Sequence, residues 1–144
     1  MRVSGRTGGY GVVVGDVVVK NNIDVGGYTT GSYSECTFVV DGDLTLTGEL
    51  QMRKNSVVIV TGNLTCGKLF MKDGARLYVK GKITANDMSY DGDSNQKIYC
   101  GGNAIIPHNL DSSREFKIGG NLEAHELSLT CLLYTSPSPR DYAA

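Results

Sequence analysis

A short motif, apolar-x-Gly-polar-apolar, recurs six times along this chain and constrains its fold more than any other feature. It occupies residues 13–17, 40–44, 60–64, 79–83, 100–104 and 118–122, with glycines at Gly15, Gly42, Gly62, Gly81, Gly102 and Gly120. The glycine intervals are 27, 20, 19, 21 and 18 residues. A period of this size marks a stacked-repeat architecture, in which one supersecondary unit is laid on the next. The long first interval carries an insertion at 26–35, GGYTTGSYSE.

Aligned on the glycine, four columns are apolar. Two residues before it stand Val13, Val40, Val60, Val79, Cys100 and Ile118, and four before it Phe38, Val58, Leu77, Ile98 and Phe116. Two residues after it stand Val17, Leu44, Leu64, Ile83, Ala104 and Leu122, and four after it Val19, Leu46, Cys66, Ala85, Ile106 and Ala124. Polar residues fill the positions between, notably Asp16, Asp43, Asn63, Lys82, Asn103 and Asn121 directly after the glycine. Alternation with period two is the signature of strands, and no ten-residue window carries a helical period. A second short strand follows in each repeat, with the pairs Ile23/Val25, Leu50/Met52, Leu69/Met71, Met88/Tyr90 and Leu127/Leu129, and with Leu110 at the same place.

A single turn of about twenty residues with one apolar face has nothing of its own to cover that face. It is buried only when each repeat stacks on the next in register. The expected fold is therefore all-β: a single-stranded parallel β-helix, or β-solenoid, of about six coils of about 19–20 residues, wound right-handed. Its strands are spaced about 4.8 Å along the axis. The core consists of Val40, Leu44, Val60, Leu64, Val79, Ile83, Ile118 and Leu122 with their column neighbours. The glycines sit at corners, where φ is positive or a neighbouring backbone comes close.

Composition narrows the function. The formal net charge is -1 without a basic cluster, which predicts no nucleic-acid partner. Apolar runs of four residues or fewer, such as Val57-Val58-Ile59-Val60, fall far short of the roughly 20 needed for a transmembrane helix. At 40% hydrophobic residues the chain is too apolar for a disordered one.

Three regions are expected: a glycine-rich leader or irregular first coil at 1–11, the solenoid at 12–130, and a non-native tail at 131–144. The tail begins CLLYTSPSPRD, eleven residues that resemble the translation of a transposase sequencing adapter. It is expected to take no more part in the fold than a fusion scar does, and the solenoid is expected to be truncated at its C-terminal end.

Two segments, LYVKGKITANDM at 77–88 and FKIGGNLEAHEL at 116–127, resemble the repeats of bactofilins, bacterial polymer-forming cytoskeletal β-helix proteins. The nearest stretch is the small-residue turn Gly74-Ala75-Arg76-Leu77 followed by Gly81-Lys82-Ile83-Thr84-Ala85. The resemblance runs from Phe38 to Leu129. It implies a structural scaffold whose partner is a second copy of itself, stacked end to end. The insertion at 26–35 and the polar excursions DGDSNQK at 91–97 and NLDSSRE at 109–115 depart from that pattern.

The side chains argue against the enzymes that share such folds. A zinc site of the gamma carbonic anhydrase type takes three histidines, and this chain has His108 and His125 alone, 17 residues apart. His125 follows the inward Ala124 and is expected to face solvent, and neither histidine is expected to be a ligand. Hexapeptide acyltransferases need a six-residue period, which Asn21, Lys54, Lys72 and Asp73 interrupt. Polysaccharide-active β-helices use clustered carboxylates, but the Asp16/Asp43 column drifts to Asn and Lys, as a turn ladder would. Asp91 and Asp93 lack the remaining ligands of a calcium loop. Gly5 to Gly11, GRTGGYG, lacks the Lys-Ser/Thr of a phosphate loop. No catalytic residue, metal or cofactor is expected.

Cys66 and Cys100 fall on inward columns and Cys36 outside the motif. With no CxxC spacing and no disulfide framework, they fit small apolar fillers in a reducing cytoplasm. No apolar signal segment follows Met1. The expected function is a non-enzymatic scaffold that assembles through its coil ends. The alternative is a rigid binding or spacer module with contacts in its loops.

Overall fold

The structure, a computed structural model, describes residues 2–3, 9–29, 32–34, 36–90, 95–111 and 115–128, with side chains over 11–26, 36–89, 95–106 and 117–123. Within them every regular element is a strand. In chain order these are β1 (Arg2–Val3), β2 (Gly9–Val14), β3 (Val17–Val19), β4 (Ile23–Val25), β5 (Gly27–Thr29), β6 (Ser32–Ser34), β7 (Cys36–Asp41), β8 (Leu44–Leu46) and β9 (Glu49–Met52). There follow β10 (Val57–Val60), β11 (Leu64–Met71), β12 (Arg76–Val79), β13 (Ile83–Tyr90), β14 (Lys97–Cys100), β15 (Ala104–Asp111), β16 (Glu115–Ile118) and β17 (Leu122–Ser128).

Two parallel sheets face each other across the core. The minor sheet runs β16-β14-β12-β10-β7-β2, and the major sheet runs β1-β4-β9-β11-β13-β15-β17 with β3 and β8 joined at its side. Each strand before a repeat glycine lies in the minor sheet and each strand after it in the major one, so the glycine is the corner between them. The registers carry the repeat directly: Val40 pairs with Val60, Val60 with Val79, Val79 with Cys100, and Cys100 with Ile118. Parallel strands thus stack as a β-solenoid of about four turns. The turns β7–β9, β10–β11, β12–β13 and β14–β15 each lie between two neighbours, whereas β2–β4 and β16–β17 lie at the flanks.

The alternation read from sequence is the alternation of burial. Strands β7, β10, β12 and β14 bury every second residue, and Leu44, Leu64, Ile83 and Ala104 are all 0% exposed. A fifth inward column lies six residues before the glycine: Cys36, Ser56, Ala75 and Gln96 are all buried. This corrects two expectations. Cys36 belongs to the repeat, and Gln96 is a core residue, although it falls inside a segment read as a polar excursion.

Within the insertion at 26–35, β5 and β6 pair antiparallel and join neither of the two sheets. Leu129, residues 91–94 and 112–114, and the whole tail at 131–144 lie outside the described residues, as do residues 4–8 of the glycine-rich leader.

Candidate functional site

Of the core residues singled out from sequence, Val40, Leu44, Val60, Leu64, Val79, Ile83 and Ile118 are buried and Leu122 is half-buried against the same cluster. The six glycines line one corner of the rod, and two physical reasons divide them. Gly15, in the first flank, has φ 113 with open space around its Cα, so its need is conformational. Gly62 needs room: a Cβ there would lie 2.7 Å from the carbonyl oxygen of Gly42, one row away. Close approach lets the corner backbones bond directly. The N–H groups of Gly62, Gly81, Gly102 and Gly120 donate to the carbonyls of Gly42, Gly62, Gly81 and Gly102 at 2.8 to 2.9 Å.

The residues directly after these glycines form a second ladder. The Asp43 N–H donates to Asp16 Oδ1, Asn63 N–H to Asp43 Oδ1 and Lys82 N–H to Asn63 Oδ1, each at 2.8 Å; Asn121 N–H donates to Asn103 Oδ1 at 2.9 Å. A side-chain oxygen of each row thus accepts the backbone N–H of the next, so the column's chemistry is structural. Lys82 is the member with no oxygen to offer, and the ladder is interrupted there. A further tie joins the flank to the first inner turn, where Arg53 donates to both carboxylate oxygens of Asp24 at 2.7 and 2.8 Å.

Candidate chemical groups do not converge. Among the described residues no three His, Cys, Asp or Glu side chains gather as metal ligands would. The side chains of His108 and His125, and those of Asp91 and Asp93, lie outside the described set. Cys36, Cys66 and Cys100 are buried. Burial pushes the Cys66 thiol up to about 12 and raises Cys36 and Cys100 as well, with backbone hydrogen bonds partly opposing the rise in those two. A thiol held protonated is a poor nucleophile, so these three are core filler.

Two surfaces remain. The first is the end of the rod at β2 and β3. Each has one described neighbour, β7 and β8 respectively, while β1 covers β4 alone. Val13, Val17 and Val19 stand in core columns there and are only partly buried, and Val14 and Val18 are 81% and 76% exposed. At the other end β16 and β17 likewise have one described neighbour each.

The second is the outer face of the minor sheet, which lies outside the inward apolar columns. Its middle outward row reads Val12, Val39, Ile59, Tyr78, Tyr99 and Lys117. Tyr78 and Tyr99 stack with ring centroids 5.0 Å apart, and the Lys117 ammonium lies 5.3 Å from the Tyr99 centroid. A groove of about 630 Å³ runs beside this ridge, with Thr61, Lys80, Gly101 and Gly119 on its other side. The signal was present in the unbroken apolar run Val57-Val58-Ile59-Val60. Strict alternation fails where both faces of a strand are apolar.

Compared with protein-family models, curated proteins and solved structures, the chain gave no match.

Proposed function

We propose that this protein is a non-enzymatic, self-assembling scaffold of the bactofilin kind, a bacterial cytoplasmic polymer built by stacking the ends of its β-helix. The observation that carries this reading is the flank at β2 and β3. Among the described residues its core-column valines are packed on one side only, and β2 and β3 present strand edges with no described neighbour. Such an edge templates a further strand, and a head-to-tail contact that does not close generates a filament.

The unit we infer has six coils wound right-handed. The six strands of the minor sheet support the count, and the strong right-handed bias of parallel crossover connections supports the hand. The buried thiols of Cys66 and Cys100 are consistent with a reducing cytoplasm.

Negative-stain microscopy of the full chain tests the assembly. Val17→Lys with Val19→Lys places two charges on the open end and is expected to abolish filaments, whereas Val18→Lys, on the outer face of the same strand, leaves them. Filaments that survive the end substitutions would overturn the reading. The β5–β6 pair, which joins neither of the two large sheets, favours a second reading as a rigid binding or spacer module. That reading predicts monodisperse rods from the wild-type chain.

A further inference from the structure

From the outer face of the minor sheet we infer a second assembly surface: two copies of this chain pair through it, antiparallel, about a two-fold axis lying along β10. End stacking is not required for it.

The inference rests on a self-complementary pattern. The row nearest the glycine corner reads Val14, Asp41, Thr61, Lys80 and Gly101 from β2 to β14. Just beyond the corner, Asp43 repeats the acid and Lys82 the base. Rotation about an axis along β10 reverses the order of strands while each row stays opposite itself. Asp41 then faces Lys80 of the second copy, and Asp43 faces Lys82. In the middle row Val39 faces Tyr78, Val12 faces Tyr99, and Ile59 meets itself on the axis. Val14, 81% exposed, comes over Gly101, where the missing side chain leaves a recess beside the Tyr99 ridge.

Acid on base, valine on aromatic ring and valine over glycine all follow from one axis position. Moving the axis to the gap between β10 and β12 sets Asp41 against Gly101 and Lys80 against Thr61, and the match is lost. An isologous contact of this kind closes at two copies.

Other occupants fit less well. A single nucleic-acid strand binds by stacking bases on open aromatic faces, but Tyr78 and Tyr99 stack on each other and Lys117 lies over Tyr99. Lys97 has Glu115 as its register partner within the same sheet. The footprint is about 24 Å along the axis by about 16 Å along the strands. That is smaller than a standard interface, so the dimer in solution is weak and concentration-dependent.

A charge swap tests the pairing on the full chain by sedimentation velocity over a concentration series. The wild type is expected to show a dimer; Lys80→Asp sets two acids face to face and weakens it at least about tenfold. The double variant Asp41→Lys/Lys80→Asp restores it. These positions are exposed, so folding is retained, as far-UV circular dichroism checks. An open series of larger species that ignores both variants reports end stacking alone and overturns the face pairing. So does a chain that stays monomeric, or a double variant no better than the single. In filament-forming preparations the same variants are read as width, paired rods becoming single with Lys80→Asp and paired again with the swap.

Discussion

Val13 and Val60 occupy the same column, two residues before a repeat glycine, yet Val60 is 1% exposed and Val13 is only partly buried. Val17 and Leu64, two residues after the glycine, differ in the same way: Leu64 is 0% exposed and Val17 is half-buried. The two regions share chemistry and position and differ in neighbours. An inner turn is covered from both sides along the axis, and β2 and β3 of the flank have one described neighbour each. In a solenoid, then, burial is supplied by adjacent rows, and a core residue at an end is a stability deficit.

The largest effects should come from placing a charge in the two regions. Leu64→Asp leaves an ionised carboxylate in an enclosed column and is expected to abolish cooperative unfolding in urea, followed by far-UV circular dichroism. Val17→Asp faces partly into water and should retain a cooperative transition with a loss of about 1–2 kcal/mol. Thr65→Asp, exposed on β11, should be near neutral. Equal losses at Leu64 and Val17 would mean that the flank is as enclosed as the interior, and the account of the ends would fall.

A titration sharpens the same contrast, because Cys66 reports from an inner turn. Its thiol is raised from 9.0 to about 12 by burial. The folded state therefore favours the protonated form. The associated stability is complete below about pH 9 and is lost as pH climbs from there toward 12, where the unfolded chain ionises and the folded one resists. At pH 10.5 the loss is about 2 kcal/mol, at about 1.4 kcal/mol per pH unit. Alkaline pH acts on the whole chain as well as on this thiol. The measurement is thus the difference between wild type and Cys66→Ala, the residue that β13 carries at this position as Ala85. A pH-independent difference would show that Cys66 is not enclosed in solution.

How much of this was legible in the sequence follows from what each row contributes. Columns two and four residues either side of the glycine are apolar in nearly every repeat, so period and inward faces could be read directly, and the registers follow from them. The column six before the glycine could not: Cys36, Ser56, Ala75 and Gln96 share burial but no hydrophobicity, and Gln96 sits beside a polar loop. Ser56 Oγ and Asp73 Oδ1 are buried without a partner, so this corner tolerates polar atoms that no apolar pattern would mark. The outer face escaped for the opposite reason. Val39, Ile59, Tyr78 and Tyr99 interrupt the alternation with apolar residues that point outward, so they register as noise in a core pattern. The closeness of the glycine corners, finally, depends on contacts about twenty residues apart, and local sequence gives only their permissive residue.

Smaller effects separate the two regions along the corner ladder. Asn63 lies between two inner turns, where its side chain accepts from Lys82 and its N–H donates to Asp43. Asn63→Ala should cost about 1 kcal/mol, the ordinary value of a hydrogen bond with a half-buried partner. Asp16 is exposed on the flank and accepts from Asp43; Asp16→Ala should cost about half as much, since water replaces the lost oxygen more readily. Thermal unfolding of both variants at one concentration checks the order, and a reversed order would detach the ladder from burial.

The smallest change should be a gain. At Lys82 the ladder meets a side chain without an acceptor, between Asn63 below and Asn103 above. Lys82→Asn would offer an oxygen to the Asn103 N–H, as Asn103 itself does to Asn121. Both residues are exposed, so the expected stabilisation is about 0.5 kcal/mol, the lower end for a hydrogen bond that competes with water. Unfolding in urea, at a dilution that keeps the chain from associating through Lys80 and Lys82, would register it as a higher midpoint with an unchanged slope. A lowered midpoint would mean that the lysine stem covers more of the corner than an asparagine can, and that the interruption is itself a packing solution.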